Sequence, residues 1–189
     1  MTTTKIKNIF DESIQVISKS KKISKNVQKS IDAIINCYKR GNKVVIFGNG
    51  GSAADAQHMA AELIGRFISE RPSLPAIAFT TDTSIITALG NDYGFEYVFS
   101  RQCESMIQKG DIVIAISTSG KSKNVLNGIV VAKKRGAFII GLTGANATSM
   151  QRHVDILLKV PSKSTPRIQE SHRVIIHTIC ELVEENFKA

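Results

Sequence analysis

The stretch KVVIFGNGGSAADAQHMAAELIGRF, residues 43–67, carries the local pattern that decides the fold. Its first part, Val44–Phe47, is short, unbroken and apolar, as expected for a strand that is buried on both faces. Three glycines then fall within residues 48–51, and a helical pattern follows over Ala53–Phe67. A strand, a glycine loop and a helix in this order form the first part of a parallel βαβ unit.

The same alternation continues downstream. Further strands are predicted over Ala76–Phe79, Ile112–Ile116, Phe138–Leu142 and Ile156–Val160, and further helices near Tyr97–Gln108, Asn124–Arg135 and Pro166–Phe187. We therefore predict an α/β fold in which a five-stranded parallel sheet is flanked by helices in three flavodoxin-like layers. In a 2-1-3-4-5 strand order, the loops after strands 1 and 3 face each other across one crevice.

Upstream of residue 43, apolar residues recur at helical spacing in two runs. They are Ile6, Ile9/Phe10, Ile14 and Ile17, then Ile23, Val27, Ile31, Ile34/Ile35 and Tyr38. Residues 1–43 hold ten Lys/Arg and three Asp/Glu, so most of the net charge of +9 lies there. We interpret this charge as solvated helix faces. Attraction of nucleic acid or phosphorylated metabolites is the alternative, but no aromatic residues interleave with the lysines as stacking platforms.

Composition places the chain among ordinary single-domain globular proteins, with 189 residues, 42% hydrophobic and 22% charged. No apolar stretch reaches the roughly 18 residues that span a bilayer. Residues 1–10 hold two lysines with no apolar block behind them, so we expect no secretory signal. The three cysteines form no CxxC pair, which excludes a disulfide scaffold and a cysteine zinc site, and suits a reducing cytoplasm.

Two loops that follow strands carry anion-binding character. Gly48-Asn49-Gly50-Gly51-Ser52 lets the backbone approach an anion at the start of a helix. Residues 117–122, STSGKS, supply four hydroxyl groups at the start of the next helix. The first loop lacks the third glycine of a dinucleotide fingerprint, and the second lacks the first glycine of a P-loop. Together the loops predict a sugar-phosphate site. Alternatively, Ser52 with Asp55 forms a capping box, and Ser119 or Ser122 simply caps a helix.

Two helices carry further candidate residues. His58 and Glu62 are four residues apart and share a helix face, which suits a divalent metal, a catalytic base with its neighbour, or an exposed polar pair. On the last helix, Thr165 before Pro166 predicts the N-cap. His172 falls inside the apolar stripe of that helix and is predicted to be a core histidine. His177 falls off the stripe, facing water or another subunit.

In combination, these motifs resemble the phosphoheptose isomerase family, which is built on the SIS (sugar isomerase) domain. The resemblance spans nearly the whole chain. It rests on GNGGS at 48–52, DAQHMAAEL at 55–63, RPSLPAIA at 71–78, GNDYGFEYVFSRQ at 90–102, GDIVIAISTSGKS at 110–122 and RIQESH at 167–172. It implies one SIS domain over residues 1–189 and a cytoplasmic homotetramer, with the helical pair 1–42 used in oligomerisation.

The resemblance also implies an activity. Sedoheptulose 7-phosphate would be converted to D-glycero-D-manno-heptose 7-phosphate through an ene-diolate, an early step toward heptose in bacterial lipopolysaccharide or capsule. The implied partners are the sugar phosphate and other copies of the chain, with no nucleic acid, no membrane and no nucleotide or redox cofactor. A carboxylate suits removal of the proton next to a carbonyl, and a metal or a protonated histidine can stabilise the ene-diolate.

Site residues follow from the resemblance by position. Those implied to bind substrate are Asn49, Gly50, Gly51, Ser52, Glu62, Asn91, Asp92, Ser117, Thr118, Ser119, Ser122 and Gln169. One Zn²⁺ per subunit would be held by His58, Glu62, Gln169 and His177, and Glu62 and His177 would be the base and the acid. Some family members have Asp where this chain has Pro166. Outside the resemblance, Asn91-Asp92 is simply part of a turn.

One geometric difficulty accompanies this ligand set. Gln169 and His177 are eight residues apart, which is about 12 Å along a helix axis. We therefore expect a site at a subunit interface, with ligands drawn from more than one chain.

Two other functions compete with the isomerase. The first is a non-enzymatic SIS protein that binds the bacterial replication initiator, whose pattern lacks the acidic residue and the histidine that stand here at positions 62 and 177. The second is another SIS sugar-phosphate enzyme, such as an arabinose 5-phosphate isomerase or a hexosamine-phosphate enzyme. Those chains usually carry extra or duplicated domains, for which we expect no room in 189 residues.

Overall fold

A computed structural model describes residues 2–146 and 148–188 of the chain. Five strands form a single sheet in the order β2-β1-β3-β4-β5, and every neighbouring pair is parallel. The strands are β1 Val44–Gly48, β2 Ala76–Ala78, β3 Ile112–Ser117, β4 Phe138–Thr143 and β5 Ile156–Lys159. The predicted α/β architecture and strand order are both confirmed.

Eight α-helices are found in the described part of the chain. They are α1 Thr3–Ser20, α2 Ser24–Lys39, α3 Gly51–Ile64, α4 Thr83–Asp92, α5 Val98–Met106, α6 Lys123–Lys134, α7 Thr148–Gln151 and α8 Thr165–Glu184, with 3₁₀ turns at Lys21–Ile23 and Phe95–Tyr97. The N-cap of α8 is Ser164, so the predicted cap at Thr165 is wrong by one residue. Within the described residues, no helix has the length and apolarity that a bilayer crossing requires.

The strands are buried on both faces, and alternate residues enter two separate cores. Val44 and Ile46 point into the core formed with α2, α3 and α8, whereas Val45 and Phe47 point into the core formed with α5 and α6. Both faces of β1 and β3 are fully buried, which explains why their sequences are continuous apolar runs.

Strand order reverses between β1 and β3, and the loops after these two strands meet there. Asn49 follows β1 and Asn124 lies in the first turn of α6, after β3. Their side-chain amides exchange two hydrogen bonds, with N–O distances of 2.9 and 2.8 Å. This amide pair ties the two loops together at the edge of the sheet where ligands of such folds bind.

Candidate functional site

The loop after β1 brings backbone N–H groups to the carboxyl edge of the sheet. Gly50 adopts a positive φ of 55° and stands as the N-cap residue of α3. No side chain caps this helix, so the proposed Ser52–Asp55 capping box does not form. The N–H groups of Ser52 and Ala53 donate to the carbonyl oxygens of Asn49 and Gly50, so the Gly51 N–H and the positive end of the helix are left to face an anion.

The loop after β3 brings hydroxyl groups to the same edge. The Ser117 Oγ lies 3.1 Å from the Ser122 Oγ and 3.5 Å from the Ser119 Oγ. Ser122 is the N-cap residue of α6, but its side chain makes no capping bond and turns toward Ser117 instead. We call the glycine loop 48–52 and the hydroxyl loop 117–122 together the anion cradle.

Two small crevices open beside the anion cradle. One, of about 150 Å³, lies between the hydroxyl loop and the segment before α8, and its lining includes Thr118, Ser119 and Ser162. The other, of about 130 Å³, lies on the opposite side of the glycine loop, against α5. Each is smaller than the roughly 300 Å³ at which ligand pockets begin, as expected if another chain completes the site.

Helices α3 and α8 run side by side in the same direction, and polar residues meet along their seam. The first contact is between Gly51 and Gln169, where a β-carbon on residue 51 would overlap the Gln169 amide. The next is an ion pair of 2.7 Å between Asp55 and Arg173. His58 and His177 follow, one turn further on. The seam therefore separates Gln169 from His177 by two turns of helix.

Three side chains converge near the far end of this seam, and we call them the seam cluster. The His58 Nε2 lies 2.8 Å from the His177 Nε2 and 3.4 Å from the Glu62 Oε1. All three side chains are half-buried. His177 was predicted to face water or another subunit, but it packs on α3 of its own chain. The centroid of the His177 ring also lies 5.4 Å from the centroid of the Phe67 ring.

Burial and charge shape the seam electrostatically. Burial raises the pKa of the Asp55 carboxyl, and Arg173 opposes that rise. Burial, with Arg173 next in importance, lowers the pKa of His58, so this imidazole favours its neutral form. A neutral imidazole can accept a proton or bind a metal. Among the described residues, no group of three or more His, Cys, Asp and Glu is already arranged to hold a metal ion.

Some predicted residues lie apart from the seam cluster. Gln169 lies at the cradle end of the seam, beside Gly51. Asn91 and Asp92 are the last residues of α4, joined by a 2.9 Å side-chain hydrogen bond, and the turn follows at Tyr93–Gly94. Within one chain, the substrate-binding residues implied by the family resemblance are thus divided among the anion cradle, Gln169 on α8, the seam cluster and α4.

Sequence reasoning missed Arg173 as a residue of this region. The available signal was its helical spacing, since it is four residues after Gln169 and four before His177. Residues at i, i+4 and i+8 share a helix face. Because Gln169 and His177 were both candidate site residues, Arg173 between them could have been predicted to lie on the same face.

His172, by contrast, lies in the core, as predicted. It is fully buried, and neither ring nitrogen has a hydrogen-bond partner among the described residues. Burial lowers its pKa to about 4, although the Thr143 backbone offsets part of that effect.

The burial of His172 predicts acid sensitivity. Its pKa is about 6.5 in the unfolded chain and about 4 in the folded one, so the unfolded chain binds the proton first. Stability is therefore fully present above pH 6.5 and is lost as the pH falls toward 4, by on the order of 3 kcal/mol. His172→Leu should flatten the pH dependence of the urea midpoint in this window. Ile176→Val, at a fully buried residue of the same helix that carries no titratable group, is the control and should leave the pH dependence of the urea midpoint unchanged. An unchanged slope in the first variant would contradict this origin.

Comparisons with known proteins agree with one another. A family model described as the SIS domain matches residues 9–144. The phosphoheptose isomerase of Campylobacter concisus is 52% identical over 188 residues, covering all of both chains. That of Aquifex aeolicus is 52% identical over 184 residues, covering 96% of this chain and 95% of its own.

Solved structures give the same result. A phosphoheptose isomerase from Francisella tularensis superposes with a TM-score of 0.94 at 37% identity, covering 98% of this chain and 100% of that one. The phosphoheptose isomerase from Neisseria gonorrhoeae gives 0.91 at 39% identity, covering 96% and 98%. A Vibrio vulnificus NanR structure, at 16% identity and a TM-score of 0.72, shares the fold alone.

Proposed function

The chain belongs to the SIS domain family and, within it, to the phosphoheptose isomerases, and from this premise we propose how its residues perform the reaction. The enzyme interconverts sedoheptulose 7-phosphate and D-glycero-D-manno-heptose 7-phosphate. The observation that carries the assignment of residues is the seam cluster, where a carboxylate and two imidazoles converge. The heptose supplies bacterial surface polysaccharide, and the enzyme works in the cytoplasm.

Proton transfer is assigned to Glu62 and His177. The Glu62 carboxylate removes a proton from the carbon next to the carbonyl, which leaves an ene-diolate. Glu62 returns a proton to the neighbouring carbon, and His177 acts as the acid toward the oxygens. Both side chains are half-buried, so each can reach a bound sugar while bulk water is partly excluded.

The anion cradle holds the phosphate end. The hydroxyl groups of Ser119 and Ser122 lie 3.5 and 3.1 Å from that of Ser117, so that the three can donate to several oxygens of one phosphate. The Gly51 N–H adds a donor, and the start of α3 adds a positive helix end. Fixing this end of the sugar keeps the reacting carbons in place.

The donor types of the seam cluster suit a zinc ion, although the three side chains of the described chain are not arranged around one. Zinc is bound in proteins by imidazole nitrogen and carboxylate oxygen, and here two imidazole Nε2 atoms lie 2.8 Å apart with a carboxylate oxygen 3.4 Å from one of them. We assign His58, Glu62 and His177 of one chain and Gln169 of another as the ligands. The ion would supply positive charge that stabilises the ene-diolate.

The fold supports a site that is shared between chains. In a parallel sheet each helix returns from the carboxyl edge to the amino edge, and α3 does so between β1 and β2. The anion cradle lies at the start of α3, whereas Glu62 lies eleven residues later, about 16 Å along its axis. A phosphosugar held in one chain's cradle is therefore better placed to meet the seam cluster of a neighbouring chain.

Exposed apolar residues on the N-terminal helix support such an assembly. Ile6, Ile9, Phe10 and Ile14 form a stripe on α1, and each is between 47% and 66% exposed. An apolar groove of about 380 Å³ opens nearby, between the α1–α2 junction and α8. Contiguous exposed apolar surface of this kind marks an interaction site. We assign this surface, within the helical pair 1–42, to contacts in a homotetramer.

Incubation with sedoheptulose 7-phosphate, followed by NMR, tests the function and the metal together. We expect the aldose product to accumulate in the untreated protein, and turnover to fall at least tenfold after treatment with a chelator. Addition of Zn²⁺ should restore it. Absence of product in the metal-loaded protein would exclude the function. Full activity in metal-free protein would instead exclude an essential metal.

A further inference from the structure

A buried network of charged residues lies next to the seam cluster, at the C-terminal end of α3. Glu184, on α8, is 1% exposed. Its two carboxylate oxygens accept hydrogen bonds from the backbone N–H groups of Phe67, Ile68 and Ser69, at 2.7, 2.8 and 2.7 Å. These three donors lie in the segment that follows α3, and Phe67 is the one that falls within the predicted helix 53–67.

Arg71 completes this network. Its side chain is 1% exposed, and its Nε lies 3.5 Å from a Glu184 oxygen. The other two guanidinium nitrogens donate to the carbonyl oxygens of Glu62 at 2.7 Å, and of Gly65 and Pro72 at 3.0 Å. The guanidinium therefore caps the last turn of α3, which is the turn that carries Glu62.

The network connects to both proton-transfer residues. Phe67, whose N–H is held by Glu184, places its ring 5.4 Å from the His177 ring. Glu62 is held through its own carbonyl by Arg71. Burial alone would raise the pKa of Glu184, but the three N–H donors and Arg71 hold it below its usual range, so the carboxylate stays charged.

We propose that Glu184 is a positioning residue for the isomerisation: it fixes the Phe67 ring against His177 and, through Arg71, the helix end from which Glu62 projects. This inference rests on the proposed function. Glu184 lies seven residues after His177, two turns further along the same face of α8. One face of α8 therefore carries both His177, the acid, and Glu184, which holds the segment whose Phe67 ring packs on His177.

The test measures kcat and KM separately and records the imidazole NMR signals of His177, which do not depend on turnover. Glu184→Gln removes the charge that Arg71 requires and presents an amide N–H₂ to N–H donors. We expect kcat to fall about tenfold while KM changes less than about twofold, because small displacements of reacting groups affect chemistry more than binding. The His177 signals should shift. Glu184→Asp, which retains the charge, should lie between Glu184→Gln and the unchanged protein in both measurements.

Two further variants keep the test decisive. Phe67→Leu leaves the backbone bonds to Glu184 in place but removes the ring, and it should lower kcat and shift the His177 signals in the same direction. Glu185→Gln, at an exposed neighbour on the chain, should change neither. If Glu184→Gln does not fold, Phe67→Leu alone decides.

Unchanged kcat and unchanged His177 signals in folded variants with lowered melting temperatures would overturn the proposal, because the network would then only stabilise the fold. Loss of isomerase activity from the unsubstituted protein is a different failure. It would remove the proposed function, while the NMR signals would still report whether Glu184 positions His177.

Discussion

Replacing Glu62 by Gln is expected to lower turnover by about 10³-fold while leaving the fold and substrate binding largely intact. The amide is nearly isosteric with the carboxylate, so the helix and its packing persist, but it cannot accept the proton that must leave carbon. Both kcat and kcat/KM should fall together, since the lost interaction is made in the transition state. Product formation followed by NMR, with substrate binding measured by calorimetry, checks this expectation.

The control for this experiment is Glu104→Gln. Glu104 is an exposed residue of α5, paired with Arg101 on the surface at 2.6 Å, and it lies on the opposite layer from the seam cluster. Glu104→Gln should change turnover by less than about twofold relative to the unsubstituted protein, because exposed ion pairs contribute little to stability. If Glu62→Gln retained turnover comparable to this control, the base would have to be another residue.

Mixing two inactive variants should restore activity. One variant carries Glu62→Gln, and the other carries Ser119→Ala with Ser122→Ala in the anion cradle. If a cradle from one chain serves a seam cluster from another, random mixing at equal amounts leaves about one quarter of the sites with both halves intact. Each variant alone should be nearly inactive. The measurement is the turnover of protein co-refolded from the two variants.

A second mixture is the control for recovery of activity that does not come from a site shared between chains. His58, Glu62 and His177 lie in one seam cluster of one chain. Mixing Glu62→Gln with His177→Ala therefore never creates an intact cluster, and no activity should return. Recovery in this second mixture would mean that the two residues act from different chains. If the first mixture regained no activity, the anion cradle and the seam cluster of one chain would have to bind the same substrate molecule.

The sheet could be predicted well because its signals are local. Continuous apolar runs such as Val44–Phe47 and Ile112–Ile116 have few alternatives in a chain that alternates strands with helices. Helix ends were less accurate because they depend on distant partners. The predicted helix 53–67 ends at Ile64, with Gly65 as its C-cap residue, and Glu184, over a hundred residues later, accepts the N–H groups of Phe67 and the two residues that follow it.

The candidate site could be predicted in its residue types but not in its grouping. Helical spacing joined His58 to Glu62, and the two lie together as that spacing requires. The meeting of His58 with His177 across 119 positions depends on how α3 packs against α8, which no local pattern encodes. The same packing brings Asp55 to Arg173, whose role was not anticipated. Contacts of this kind follow from the fold and become visible only with it.

The two layers of helices contribute unequally to the candidate site. Every residue assigned to proton transfer lies in the layer with its core around α2, α3 and α8, and the exposed stripe on α1 belongs to that side as well. The outward faces of α5 and α6, on the other layer, hold none of them. The same faces are the place to attach a fluorophore, an affinity tag or a surface tether without disturbing catalysis.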